Sequence, residues 1–210
     1  FRQGSRGALR LLRRGVDLRF NKGWLAVILL LPLLVFGGAI LASRLVGPKS
    51  LDTSVLANPP YAAVAFFVIL LTGGPLQEEF GWRGYALPRL QARFGALASS
   101  LILGFVWWLW HLPAIFVAGK FMTNDPLVFL MLLAVIALAS VLFTWVYNRT
   151  GESVLAVMLM HTAMNWSIWV VMPTMQVDAL TAGFMIGFLA VVVLIILRID
   201  GAARLGRDQT

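Results

Sequence analysis

The sequence has no cysteine and only two histidines among 210 residues, and charged residues make up 12% of it. Without cysteine there is no disulfide, no thiolate metal site and no cysteine nucleophile. Soluble domains carry about a quarter of their residues as charges, so this chain cannot build an ordinary solvated surface. Acids are scarcer than bases, 9 against 17, for a formal net charge of +8. The basic residues are dispersed and sit in no recognisable nucleic-acid-binding motif, so no nucleic-acid partner is expected. There is no repeat, low-complexity tract or heptad pattern, and no second, soluble domain.

What is present instead is apolar, at 60% of the chain. Several runs approach the roughly 20 residues needed to cross a hydrocarbon core. Six spans are expected: Trp24–Val46, Tyr61–Phe80, Ala96–Ala118, Pro126–Asn148, Ser153–Met172 and Ala179–Ile199. The fold class is an all-α, polytopic transmembrane helical bundle. Residues 1–23 form a basic cytoplasmic segment, residues 24–199 the helical domain, and residues 200–210 a cytoplasmic tail. The basic-then-apolar opening resembles a long signal peptide. No small-residue cleavage site follows it and five more spans do, so the first span is read as retained.

Charge orders these spans. Seven basic residues fall in residues 1–23, three at Arg83, Arg89 and Arg93, one at Arg149, and three at Arg198, Arg204 and Arg207. The alternate side holds only Arg44, Lys49 and Lys120. Basic residues favour cytoplasmic loops, so a multi-pass cell-membrane protein with both termini in the cytoplasm is expected, in contact with anionic lipid. Residues 5–20 space Leu9, Leu12, Val16 and Phe20 at helical intervals among arginines. They read either as an amphipathic surface helix or as an ordinary basic juxtamembrane segment. Gly183 and Gly187 match the small-residue helix-contact pattern and are read as internal packing.

Ionisable groups at membrane depth are expensive and are usually kept for function. Glu78 and Glu79 close the second apolar run, and Arg83 follows four residues after Glu79, on the same helical face. Glu78 points about 100° away. One acid can therefore be held by the arginine while the other does chemistry; taken alone, the trio equally suits an ion cluster at a helix end. Gly73-Gly74-Pro75 precedes the pair, a break tolerated in a membrane where it lines a wet cavity. His161 and Asn165 also share a face and can both donate hydrogen bonds, although an isolated pair of this kind more often joins two helices. His111 follows Trp107, Trp108 and Trp110, a cluster read as an interfacial belt, with Trp107 a candidate to line the site.

Glu78-Glu79-x-x-x-Arg83, an aromatic at 107 four residues before His111, and His161-x-x-x-Asn165, in this order on separate spans, resemble the CAAX prenyl protease and bacteriocin-processing (CPBP, or Abi) family of intramembrane endopeptidases. The strings Trp107-x-x-Trp110-His111-Leu112-Pro113 and Asn148-Arg149-Thr150-Gly151 are also similar to bacterial members. The resemblance runs from about Leu70 to Trp166. It implies that Glu78 and His111 activate a water, that Arg83 orients Glu79, and that His161 and Asn165 form an oxyanion hole. It implies peptide-bond hydrolysis without an acyl-enzyme and without a cofactor, on a peptide or membrane-protein substrate with or without a lipid. Two departures stand out. The family usually has Phe where this chain has Trp107, and usually has about eight spans, which implies one or two more N-terminal to these.

Two other readings stay open. Glu78, His111 and His161 could hold zinc in a His₂Glu metalloprotease, which would leave Asn165 without a role and no Asp as a supporting partner. A non-enzymatic membrane protein, such as an immunity factor or carrier, is the third, and no inverted repeat supports transport. Neither the substrate nor the oligomeric state is readable. There is also a conflict of depth. If the second span ends at its Glu pair, Glu78 lies at the cytoplasmic edge, while His111 lies roughly 20 Å along its own helix. To meet, the helix bearing the glutamates must continue past Arg83 toward Leu87-Pro88.

Overall fold

The computed structural model describes residues 4–117 and 123–207, apart from the side chains of Ser5 and Arg6. Ala118, expected to close the third span, and Lys120 lie outside the described residues, as do Arg2 and the last three residues of the tail. The described residues are helical with no strand. Helix α1 is Gly4–Arg14, and α2 is Trp24–Val46. The expected second span is two helices, α3 (Pro59–Thr72) and α4 (residues 75–91). Then come α5 (Ala96–Trp110), α6 (Pro126–Arg149), α7 (Val154–Val171) and α8 (Ala179–Asp200). Among the described residues six stretches are long and apolar enough to cross a membrane, with α3 and α4 counted as one.

The expected spans hold for α2, α6, α7 and α8 within one or two residues at each end. The second span needs correction: it does not end at Phe80 but runs on to Gln91. It is also cut at Gly73-Gly74, where Gly74 takes φ of 103°. Only glycine adopts that backbone readily, and Pro75 behind it lacks an N–H and is preorganised to start a new helix. The amphipathic stretch is also shorter than residues 5–20. The α1 helix stops at Arg14, and Phe20 leaves its expected exposed face to bury itself in the core.

Helices α6 and α7 are the most buried. On one side α6 packs between α5 and α8, while α7 packs against α2, α3 and α4. The α5–α6 contact is very close at Gly104, where a Cβ would come within 2.7 Å of the Ala137 Cα. By contrast, a Cβ at Gly183 or Gly187 would meet nothing within 4 Å. The two glycines therefore do not mediate tight internal packing, as their spacing suggested. They line an apolar groove between α2 and α8.

The two ends of the bundle are tied differently. At one end the Ala96 N–H donates to the Ala203 carbonyl at 2.9 Å, Gln91 and Asn148 exchange amide hydrogen bonds, and Arg149 pairs with Asp200. Arg14 joins this end through Glu152 and Tyr147. At the other end Asp178 takes Arg44 at 3.1 Å and Lys49 at 2.8 Å. Burial pushes the Asp178 carboxyl up, but hydrogen bonds from Lys49, Thr181 and Arg44 outweigh it and hold it well below the usual carboxylate range.

A Gly104→Val variant is expected to lose about 1–3 kcal/mol, because the α5 and α6 backbones must separate. Gly187→Ala should leave stability unchanged or improve it slightly. Thermal unfolding of both variants in one detergent checks the contrast.

Candidate active site

The break before α4 sets the position of the first carboxylate. Gly74 starts the turn, the Glu78 N–H donates to its carbonyl at 2.8 Å, and a Cβ on Gly74 would lie 2.6 Å from the Glu78 Oε1. Glu78 is thus seated over a residue with no side chain. Its Oε2 accepts the Trp107 Nε1–H at 2.7 Å and the Trp82 Nε1–H at 3.4 Å.

Glu79, the next residue, is fully buried. Its carboxylate accepts both of its contacts with the Arg83 Nη1, at 2.9 and 3.1 Å, and one from the His161 Nδ1 at 2.9 Å. Arg83 is also fully buried, so it is not the cytoplasmic loop charge that its place beside Arg89 and Arg93 suggested. It sits in a wider π turn, Trp82–Ala86, with its guanidinium 5.0 Å from the Trp107 ring and 4.8 Å from that of Phe143. Its Nη2 reaches the Ser140 Oγ at 3.4 Å, and its Nε has no hydrogen-bond partner among the described residues.

His111 terminates α5, where its N–H bonds to the Trp108 carbonyl in a tightened turn. Its Nδ1 lies 2.8 Å from the Trp107 carbonyl. A carbonyl can only accept, so the proton is on Nδ1, and in the neutral ring Nε2 carries the lone pair. The same reasoning applies to His161: Nδ1 donates to the Glu79 carboxylate, and Nε2 becomes a donor only in the doubly protonated ring. Asn165 donates from Nδ2 to the Gly73 carbonyl at 3.3 Å, the acceptor freed by the helix break. An amide nitrogen carries a second N–H.

Glu78, Trp107, His111, His161 and Asn165 line one cavity of about 460 Å³ together with Gly73. Glu79 and Arg83 stand behind its wall. The structure therefore brings together all six residues singled out from the sequence, four at the cavity and two as an ion pair beneath it. The depth conflict disappears because α4 continues to Gln91: Glu78 lies 13 residues before that end and His111 15 residues after Ala96. At ~1.5 Å per residue these are roughly 20 and 22 Å from the same end of the bundle. Among the described residues, no three His, Cys, Asp or Glu side chains are grouped so as to hold a metal ion.

Sequence reasoning underestimated Trp107. It is buried rather than interfacial, donates to Glu78, and sets its ring 5.2 Å from that of His161 and 6.0 Å from that of His111. The signal was available, since Trp107 is four residues before His111 and shares its helical face. Trp82 and Ser140 carried no comparable signal.

Arg83→Ala would leave the Glu79 carboxylate buried with one partner fewer, which typically costs about 3–5 kcal/mol. Arg83→Lys should recover only part of it, because an ammonium cannot fork onto the carboxylate while stacking on Trp107. Adding Glu79→Gln to Arg83→Ala should cost less than the two single losses combined, as read by thermal unfolding.

Over 145 residues, 67% of this chain, the sequence is 29% identical to CAAX prenyl protease 2 of Methanococcus maripaludis. The aligned part is 49% of that protein, so the chain spans about half the length of the relative it matches. Residues 60–167, which carry every residue of the cavity constellation, match the type II CAAX prenyl endopeptidase Rce1-like family, and the chain belongs to that family.

Proposed function

We propose that this chain is an intramembrane peptidase of the CAAX-protease kind, hydrolysing a peptide bond with a water activated by Glu78 and His111. The observation that carries the reading is the division of labour between adjacent carboxylates. Glu79 is locked to Arg83 and His161, while Glu78 meets the cavity beside His111. A carboxylate and an imidazole with an unprotonated nitrogen can share the removal of a proton from water. The hydroxide oxygen attacks the carbonyl carbon, and the carbonyl oxygen takes up the negative charge. The second N–H of Asn165 and a protonated His161 Nε2 supply the donors for that oxygen. The charge on His161 is compensated by the Glu79 carboxylate at its other nitrogen. Collapse returns the abstracted proton to the leaving nitrogen, with no covalent intermediate on the protein.

The substrate class is a peptide or membrane-protein segment, and the name of the archaeal relative favours one carrying a prenylated C-terminus. The cavity suits a partly apolar substrate, because apolar residues of α6 and α7 such as Leu132, Val135 and Ile168 line it beside the polar groups. The zinc reading is less well supported. Among the described residues Glu78, His111 and His161 are not grouped closely enough to share one ion, although the Glu79 contact at Nδ1 leaves the His161 Nε2 able to ligate.

Glu78→Gln and His111→Ala should each lower turnover by ~10²–10⁴-fold with unchanged thermal stability. The assay is cleavage of a fluorogenic peptide by detergent-purified protein, before and after chelation and dialysis. Near-normal turnover in either variant sinks the assignment. Activity lost on chelation and restored by zinc would make the metalloprotease reading the right one.

We further propose that both termini are cytoplasmic. Arg10, Arg13, Arg89, Arg93, Arg149, Arg198 and Arg204 gather at the end where α4 finishes, and Asp52, Asp125 and Asp178 lie at the other. The cysteine-free background makes this easy to test. Single cysteines at Ser54 and at Ala202, both exposed, should react with a membrane-impermeant thiol reagent from opposite faces of sealed vesicles. Labelling from the same face would overturn the topology.

A further inference from the structure

The proposed reaction makes no use of α1, yet α1 is built into the bundle. A Cβ at Gly84 would lie 2.6 Å from the Leu11 Cδ1, and one at Gly15 would lie 2.3 Å from the Phe80 Cζ. The helix therefore rests directly on the π turn that carries Arg83. Between α1 and α4 a groove of about 730 Å³ remains, lined by Gly7, Arg10, Arg14, Gly84, Tyr85 and Arg89, among others, and by no acidic side chain among the described residues.

The charge in this groove is not neutralised. Arg14 spends its guanidinium on the Glu152 carboxylate and carbonyl and on the Tyr147 hydroxyl. Arg89 has only the Tyr85 carbonyl, at 2.7 Å, and the Tyr85 ring, 3.6 Å beneath its guanidinium. Arg10 is exposed, and no acid pairs with it among the described residues. Two arginines thus face one space with neutral contacts at most.

The position of the groove identifies the ligand. It lies at the end of the bundle where the apolar lengths of α4, α6 and α8 finish. Beside it α1 exposes Leu9 and Leu12, at 51 and 57%, and Val16 follows just past the helix end at 74%. On a helix Leu9, Leu12 and Arg13 share one side, while Gly7, Arg10 and Arg14, which line the groove, lie about 100° or more round from both leucines. That is the cross-section of a helix lying in a headgroup layer, apolar edge down. We infer that the groove between α1 and α4 binds the phosphate of an anionic membrane lipid, with Arg10 and Arg89 as its charged partners. The bound lipid braces α1 against the turn that carries Arg83. This goes beyond the peptidase reading and does not depend on it.

The test is a thermal-shift titration of the full chain in a non-ionic detergent with short-chain phosphatidylglycerol, and with short-chain phosphatidylcholine as control. Binding to the folded state raises the unfolding midpoint by mass action. Phosphatidylglycerol should raise it and phosphatidylcholine should not. Each basic side chain near an anionic headgroup contributes about fivefold to binding, so R10Q/R89Q should weaken the response roughly thirtyfold. R10K/R89K should keep most of it, which separates loss of charge from damage to the fold. Equal titrations for the wild type and R10Q/R89Q overturn the inference. So does inorganic phosphate that competes as well as the lipid, because the groove would then read a free anion. A shift with polyglutamate and none with phosphatidylglycerol would also overturn it, in favour of an acidic protein partner.

Discussion

The bundle is organised around a buried ion pair. Arg83 and Glu79 are both fully shielded, and apart from His161, Gln91 and Asn148 the other buried positions among the described residues are apolar or carry hydroxyls. Burying two charges this far from water is tolerated only where the geometry is close and the remaining hydrogen-bonding capacity is used. Here Glu79 takes contacts from Arg83 and from His161 of α7, and Arg83 touches Ser140 of α6 while lying against Trp107 of α5. One side-chain cluster on α4 therefore fixes its rotation relative to three other helices. Because α4 cannot rotate, Glu78, one position earlier and about 100° round, has nowhere to face but the cavity.

The second constraint is the break at Gly73-Gly74. It does three things at once. It starts α4 inside the bundle rather than at its surface, and it gives Glu78 a neighbour without a side chain. It also releases the Gly73 carbonyl, which Asn165 then engages. In lipid such irregular backbone survives only where it is buried in protein or faces a wet cavity, which is its situation here. The polar groups of the site are thus held by backbone irregularity and by one ion cluster. They do not depend on loops.

The two ends of the bundle differ in a way that bears on how the protein sits in its membrane. One end gathers arginines, a surface helix and several hydrogen-bonded tethers, including the Asn148–Gln91 exchange. The other end is held chiefly by Arg44 and Lys49 on a single aspartate. The cavity reaches toward this second end through Pro173, Thr174 and Met175.

Helix count and most helix ends were legible from the sequence, because an apolar run of fixed length has a single use in a bilayer. The six polar residues were legible as well, because ionisable groups are scarce in such runs and those at i and i+4 must share a face. The grouping of Glu79 with Arg83 followed directly from that spacing. The continuation of α4 past Arg83 was required by the depth at which His111 lies, although its end at Gln91 was not. Other features had no local signal. That Arg83 is buried and that His161 pairs with Glu79 across 82 residues depend on which helices are neighbours. Trp107 was a candidate to line the site and does so, but it was read with its neighbours as interfacial because an indole near a helix end usually is, and only the approach of α4 gave its N–H a carboxylate. Gly183 and Gly187 had the pattern of a helix contact but no helix against them. The sequence by itself determined which segments enter the membrane and which side chains are too costly there to be incidental. Tertiary structure decided which of those side chains meet, because a one-residue rotation of α4 would exchange the roles of its two glutamates.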